Sequence, residues 1–574
     1  MREDVSEALE VQIAASAALR TGDCRRLTGP GLLWGHAGAT LEAGFSGFVP
    51  ARVAALWQHH ARRVLEAVGW AGQAAGARLS EGGIAVAISA PVDQLYAATY
   101  VVQTAWHFVA ADLLGAVRGD FAAMIADLRC VMAREADPAL VALAAEAGAR
   151  GLEVLIDEDL VTVGHGGTSQ SWPAGALPAA VDWGGLGNLP LGLITGTNGK
   201  TTTTRLAMAM ARGAGIVAGL TSTDMVQVGD AVLERGDFSG PSGARLLLRD
   251  PRLEMGFLEL ARGGILRRGL PVRQAMAAVV TNVASDHLGE YGINTVAELA
   301  EVKFAIRRGL RAGGVMILNA DDAPVVAEAV LLGLAACWFS RDADAPQIKA
   351  ARAAGQRCGY VEGGAIWLSD AAGAQRVIAV ADVPIAMGGA AGYNVSNALA
   401  AVCLCDVLGV ERAAMGRALA AFRSDPVDNP GRCNEFAHNG ARVFVDFAHN
   451  PHSIAAVTGA LAGLAAKRKF IMLAHAGDRS DEDIRGLARG AVAFGPDYVM
   501  LAELSDYLRG REVGSVTAIL RQECLALGMQ PEQLLAATSP ADGAAQVLRR
   551  LQPGDLALLL VHSERAEIFA MLGA

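Results

Sequence analysis

The sequence predicts a multidomain α/β protein, with a central P-loop parallel-sheet domain and a C-terminal Rossmann-like domain behind an α/β or α+β N-terminal domain. Three observations predict it. From residue 191 onward, short apolar strands precede helices in regular alternation, the pattern of a doubly wound parallel sheet. One of these strands runs directly into TGTNGKTT, Thr195–Thr202, and then into a helix. Two segments rich in loop-forming residues, 164–190 and 423–431, break the pattern and mark boundaries.

The elements follow in order. Residues 52–75 and 95–117 carry Ala, Leu and Val at helical spacing, and 83–90, GIAVAISA, reads as a strand. Residues 144–163 read as a helix, a turn at Ala149–Gly151, and strands over 154–156 and 160–163. These belong to an N-terminal domain, 1–172, joined by a linker, 173–190. The central domain, 191–424, takes strands 191–194, 256–260, 277–283 and 315–318, with helices over 202–214 and 296–308. The C-terminal domain, 425–574, takes strands 443–447, 470–475, 498–503 and 557–562.

Composition narrows the function. Apolar residues make up 52% of the 574 and charged residues 19%, enough for a large core and against disorder. A net charge of −10 argues against nucleic acid or anionic membrane as a partner. No apolar run approaches the roughly 18–20 residues of a membrane span. The acidic start, MREDVSEALEVQ, is unlike a secretory signal. A cytoplasmic protein is the expectation, its partner a small molecule, with self-association left open. The eight cysteines form no CxxC pair and read as reduced thiols. Only five of the 49 basic residues are lysine: Lys200, Lys303, Lys349, Lys467 and Lys469. Where arginine serves for general positive charge, a retained lysine points to work that a compact amine alone performs.

The chemistry starts at the phosphate loop. Gly196 and Gly199 let the backbone N–H groups of Thr197, Asn198 and Gly199 turn toward phosphate, and the helix N-terminus adds partial positive charge. Lys200 reaches the β- and γ-phosphates, and the Thr201 and Thr202 hydroxyls stand beside it, Thr201 placed for Mg²⁺. Ile194 occupies the position where the longer form of this loop has a glycine. Glu259 and His287 each end an apolar run, and so fall where open α/β sheets bind ligands. A carboxylate and an imidazole there can ligate a metal, although imidazole is an unusual partner for a hard ion such as Mg²⁺. Lys303 follows on the next helix; spacing alone makes it an ordinary solvated lysine.

Several stretches together resemble the Mur ligase family: TGTNGKTTTTR, the Glu259 strand, TNVASDHL with Lys303 sixteen residues beyond His287, LNADD, GYNVSNALAAV, PGR and VDFAHNP. Their order and spacing run from about residue 190 to the C-terminal domain. GDFSGPSGARLLLRDP, ELARGGILRRGL and AGDRSDEDIRGLARGA are similar to the cyanophycin-synthetase branch of that family. So is GGIAVAISAPVDQLYAATYVVQTAWHFV in the N-terminal domain. ARGLEVLIDEDLVTVGHGGTSQSW resembles the lead into that branch's ATP-grasp domain, yet only about twenty residues separate it from the phosphate loop. That is too short for such a domain.

The resemblance implies a cytoplasmic, ADP-forming ligase that joins a carboxylate to an amine through an acyl phosphate, with ATP and Mg²⁺ as cofactors. It implies that Lys200, Thr201 and Thr202 bind ATP phosphates, that Glu259 and His287 hold Mg²⁺, and that Lys303 is carbamylated and supports a second Mg²⁺. Asn319, Asn394 and Asn397 match positions near adenine. Arg432 and Asp446 come to the nucleotide from the C-terminal domain, and His449 and Asn450 face the transferring groups. Arg262, Asp478 and Arg479 match substrate positions, for an amino acid or aspartyl peptide. Met225 stands where that branch has glycine, Leu260 where it has a small polar residue, and His475–Ala476 where it has Ala and Pro. Two other readings stay open: a non-catalytic ATP-binding partner of a full synthetase, and a ligase for an unrelated small metabolite.

Overall fold

The computed structural model describes residues 9–574, so the first eight residues of the acidic start lie outside it. The N-terminal domain is a four-stranded antiparallel sheet, ordered in space Leu19–Leu27, Gly38–Phe45, Gly83–Ser89, Ala75–Ser80. Helices Pro50–Ala67 and Leu95–Leu114 cover one face. Trp57 and Trp106 are fully buried between them, and each indole N–H donates, to the Gly76 carbonyl and the Thr21 hydroxyl. Burying two such rings dominates a small core, provided their N–H groups find partners. Both helices end earlier than their composition predicts. Gly69 and Gly115 take left-handed φ of +87° and +64°, which no alanine-rich periodicity reveals.

Two further helices, Phe121–Glu135 and Pro138–Ala149, lead to a three-stranded sheet of Val154–Ile156, Leu160–Val163 and Gln170–Pro173. The expected linker gives Pro173 to that sheet, and its remainder, 174–190, has no helix or strand but is packed. Leu177, Val181, Trp183 and Leu186 lie against buried Leu140, Leu143 and Val161. The small sheet is also fastened to the central domain. Arg249 pairs with Asp157 and donates to the Thr162 hydroxyl at 2.9 Å and the Leu160 carbonyl at 3.1 Å. The buried Glu153 carboxylate accepts from the backbone N–H groups of Arg273 and Gln274.

The central sheet has eleven strands. Its middle is parallel, in the order Ala218–Thr221, Met255–Glu259, Leu191–Thr195, Ala275–Val280, Leu310–Asn319, Ala336–Ser340, Cys358–Glu362. Antiparallel hairpins extend both edges, Met225–Val228 with Ala231–Arg235 on one side and Ala365–Asp370 with Gly373–Ala379 on the other. The phosphate-loop strand therefore sits between the strand ending at Glu259 and the strand leading to His287. Along it, Leu191 and Leu193 face one layer, with Leu258, Phe304 and Leu299, while Ile194 faces the other, with Leu399 and Val402. Gly192 lets the helix Gly392–Val407 close on the sheet; a Cβ there would come within 2.8 Å of Leu404 Cδ1. The C-terminal domain is a six-stranded sheet, parallel except for the edge strand Asn434–His438. No helix among the described residues is long and apolar enough to cross a membrane.

Arg249→Ala removes the contacts to Asp157, Thr162, Leu155 and Leu160 and leaves Asp157 without its closest cation. It should lower stability by about 2–3 kcal/mol, read as an earlier midpoint in urea denaturation, and should open residues 174–190 to limited proteolysis.

Candidate active site

The phosphate loop is shaped by its neighbour strand. Gly196 has φ +150°, and a Cβ there would lie 1.8 Å from Thr281 Oγ1. Gly199, with φ +84°, caps the helix Lys200–Gly213, and a Cβ on it would lie 2.1 Å from Asn397 Oδ1. Between them Asn198 is held from both sides. Its N–H donates to Asn282 Oδ1, and its carbonyl accepts from Thr281 Oγ1 at 2.7 Å and Asn282 Nδ2 at 3.0 Å. Thr197 exchanges hydrogen bonds with the Ala284 backbone. Lys200 Nζ lies over the loop, donating to the carbonyls of Gly196 and Thr197 at 3.1 and 2.9 Å.

A cleft of about 960 Å³ opens above this loop, between the central and C-terminal domains. Small-molecule sites run to roughly 1,000 Å³, so it has room for a nucleotide and a second reactant. Among the residues singled out from sequence, all but Asn450 and Arg479 line it. Those two stand behind the wall. Asn450 caps the helix Pro451–Leu461 and pairs amide to amide with Asn198, at 3.1 and 3.3 Å, across the domain boundary. Arg432 crosses the same boundary, donating to Thr201 Oγ1 at 3.3 Å with its guanidinium over the Phe447 ring. Burial raises the Asp446 carboxyl, and Arg432 opposes the rise.

Glu259 fits a divalent cation. It is fully buried, and neither carboxylate oxygen has a hydrogen-bond partner of normal geometry. Burial pushes its pKa up, while Lys200, Arg432 and the Thr201 hydroxyl pull the other way. An unpartnered buried carboxylate is costly unless a cation meets it. Among the described residues no three His, Cys, Asp or Glu side chains converge as a cage. Mg²⁺ needs none, since it takes one or two carboxylates with phosphate oxygens and water. His287, expected beside Glu259 as a ligand, is engaged elsewhere. Arg479 donates to its Nε2, and its Nδ1 lies 3.3 Å from Glu290 Oε1.

Lys303 is 3% exposed, so the solvated-lysine expectation fails. Its α-helix is shorter than expected, Val296–Phe304, followed by the 3-10 turn Ala305–Gly309, and Lys303 falls one turn after buried Leu299 and Ala300, on the inward face. Burial drives the amine well below the ordinary lysine range; the Lys200 cation adds to the effect and Asp286 opposes it. Asn394 and Asn397 are buried and linked. Asn394 donates to the Ile385 carbonyl, Asn397 to Asn394 Oδ1. Asn319 donates to the Thr281 carbonyl. All three therefore brace the loops as well as line the cleft.

The expected substrate residues are committed to protein partners. Arg262 binds Glu290 and the His287 carbonyl. Arg479 binds Asp478 and His287, and Asp478 also pairs with Arg509 at 3.1 Å. The His287 hydrogen bond, with Arg262 behind it, holds the Glu290 carboxyl at about 2. His287 and Tyr291 both carry positive φ, 52° and 55°, uncommon outside glycine and often found near functional sites. His449 Nδ1 lies 2.9 Å from the Phe447 carbonyl, which leaves Nε2 as an acceptor. Burial pushes this imidazole down to about 4, against the pull of Asp286. Glu290 and Asp286 were missed from sequence. Asp286 directly precedes His287 in a motif already in view, and Glu290 follows it by three residues.

A family model described as Mur ligase middle domain matches residues 194–405, and one described as Mur ligase, glutamate ligase domain, matches 431–560. A UDP-N-acetylmuramoylalanine–D-glutamate ligase of Aromatoleum aromaticum is 30% identical over 480 residues, covering 77% of this chain and 91% of that protein. This chain belongs to the Mur ligase family. A cyanophycin synthetase of Trichormus variabilis is 36% identical over 334 residues, 58% of this chain and 37% of that protein. This Mur ligase family member therefore matches little more than a third of the length of that relative. Among solved structures, a bifunctional folylpolyglutamate synthase/dihydrofolate synthase from Yersinia pestis has a TM-score of 0.48 at 17% identity, covering 67% of this chain and 89% of that one.

Gly199→Ala forces a Cβ onto Asn397 and a left-handed φ onto alanine. It should weaken ADP binding by about two orders of magnitude, the equivalent of roughly 3 kcal/mol of loop distortion, measured by titration calorimetry. Asn397→Ala in the same chain relieves the clash alone and should recover only part of it.

Proposed function

We propose that the protein is an ATP-dependent, ADP-forming ligase that joins a carboxylate to an amine through an acyl phosphate. The observation that carries this reading is the convergence of Lys200, the unpartnered Glu259 and the buried Lys303 on one cleft roofed by Arg432 and His449. The Aromatoleum relative is named for joining D-glutamate to its substrate, and a similarity to cyanophycin synthetase covers 58% of the chain. An aspartyl carboxylate with an amino acid such as arginine is the pair this favours.

In this reading a carboxylate oxygen attacks the γ-phosphorus as the bond to ADP breaks, and the amine then adds to the acyl carbon, gives up a proton to solvent and displaces phosphate. Lys200 and the N-terminus of its helix hold the β- and γ-phosphates. Mg²⁺, held by Thr201 and Glu259, would neutralise charge on those phosphates. His449 accepts a hydrogen bond from the amine through Nε2, adding no charge because its imidazole is neutral. The Lys303 amine adds to CO₂: its nitrogen lone pair forms the N–C bond and a proton is lost to solvent, leaving a carbamate anion. Only the neutral amine can do this, and its lowered pKa keeps it neutral at pH values where an ordinary lysine is charged. As pH falls through that lowered pKa the amine protonates, so activity should decline on the acid side and recover with added bicarbonate.

Phosphate release screened against amino acids and short aspartyl peptides tests the reading. Lys200→Ala should abolish the release while leaving the fold intact by circular dichroism; undiminished turnover would refute a ligase. Lys303→Arg should fail as badly as Lys303→Ala, because it keeps a positive charge where the carbamate is negative. Short-chain carboxylates should partly rescue the alanine variant. Free aspartate and arginine with ATP should yield no polymer, because the short stretch 173–190 has no room for the ATP-grasp domain that would make the other bond.

A further inference from the structure

One guanidinium joins the N-terminal domain to the helix that carries Lys303. Arg78, on the strand Ala75–Ser80, has a side chain only 11% exposed. Its Nε lies 2.9 Å from Glu301 Oε2 and its Nη2 lies 3.1 Å from Glu298 Oε1, while Nη1 donates to the Gly292 carbonyl at 3.0 Å. Every direction of the fork is used, and every partner belongs to the central domain. Glu298 also starts its own helix. Its Oε2 accepts from the backbone N–H groups of Asn294 and Thr295, closing the capping box of Val296–Phe304. Arg78 thus grips the cap, the second turn of the helix and the loop before it.

That loop leads from His287 and Glu290 to the helix. Gly292 is pressed against the same strand, where a Cβ would lie 2.8 Å from Ser80 Oγ. Arg25 of the N-terminal domain lies over the Tyr291 ring at 5.0 Å. Beyond the helix, Arg308 donates to the carbonyls of Gly31 and Leu32. By contrast, no hydrogen bond or ion pair among the described residues ties down the Lys303 amine; its place is set by its helix alone.

We propose that Arg78 is a positioning residue for the ligase centre, locking residues 287–304 in the register that presents the Lys303 amine and the His287 loop to the cleft. The N-terminal domain is then the back wall of the site. Charge-assisted bonds from one planar fork fix direction as well as distance, which a lysine ammonium does not. The inference rests on the ligase reading for its consequence in turnover, but not for the geometry it predicts.

The test uses the full chain with Arg78→Ala and Arg78→Lys. Hydrogen exchange of the backbone over 289–304 should rise about tenfold in the alanine variant, the size of one lost charge-assisted hydrogen bond, while residues 195–213 stay unchanged. Trace acetylation read by mass spectrometry should shift the Lys303-to-Lys200 labelling ratio by about threefold or more, as local ordering is lost. In phosphate release, kcat should fall by about tenfold with KM for ATP nearly constant, a loss of alignment rather than of nucleotide binding. Arg78→Lys should restore part of the protection and part of kcat. Should Arg78→Ala not fold, Glu301→Gln, which weakens one arm only, should show the same changes at smaller size. Wild-type exchange and an unmoved labelling ratio in the variants would overturn the proposal. If the wild-type protein releases no phosphate with any substrate pair, the ligase reading fails while exchange and labelling still decide the role of Arg78.

Discussion

Asn198 is the point on which the site depends. Its N–H and carbonyl are bound by Thr281 and Asn282 of the neighbouring loop, and its side chain is bound by Asn450 of the other domain. One residue thus sets the curl of the phosphate loop, its register against the His287 segment and the approach of the C-terminal domain. Sheet order makes this possible. Only because the strands Met255–Glu259 and Ala275–Val280 flank Leu191–Thr195 do Glu259, the loop and the His287 segment emerge at one edge. The same arrangement explains the glycines. Gly196 and Gly199 are places where Thr281 and Asn397 occupy the space of a side chain.

The strands at the middle of each parallel sheet were legible because each is an apolar run that ends near a polar residue, and hydrophobic periodicity reports this directly; the outer parallel strands Ala218–Thr221, Ala336–Ser340, Cys358–Glu362 and Leu534–Ala537 were not read. The phosphate loop was legible because its chemistry needs those residue types in that order. What could not be read were features set by tertiary contact. Lys303 is buried because the helix face it shares with Leu299 and Ala300 packs into the central-domain core, and the local pattern AELAEVKFAI, apolar on more than one side, does not say which face turns inward. The antiparallel hairpins at the sheet edges have strands of only four to seven residues, over which periodicity is weak. The packed stretch 174–190 has the composition of a linker, yet Trp183 and Leu177 find a hydrophobic surface. His287, Arg262 and Arg479 show a further limit. Sequence proposes what a residue is able to do, while neighbours such as Glu290 decide what it holds.

The division of labour among the domains follows from these contacts. The central domain carries the phosphate loop, Glu259 and Lys303. The C-terminal domain brings Arg432, Asp446 and His449 to the opposite wall. The N-terminal domain, far from the phosphate loop in sequence, reaches the back of the Lys303 helix through Arg78 and Arg308's carbonyl partners.

Lys200 already grasps the carbonyls of Gly196 and Thr197. A lysine frozen at folding has given up roughly 2 kcal/mol of rotamer freedom before any anion arrives. In the proposed ligase, a phosphate would take the place of two neutral acceptors around a stationary cation, an exchange of contacts in which little further ordering is required. Selectivity at this position would then belong to charge: a dianionic group can displace a pair of amide oxygens, and an uncharged one cannot.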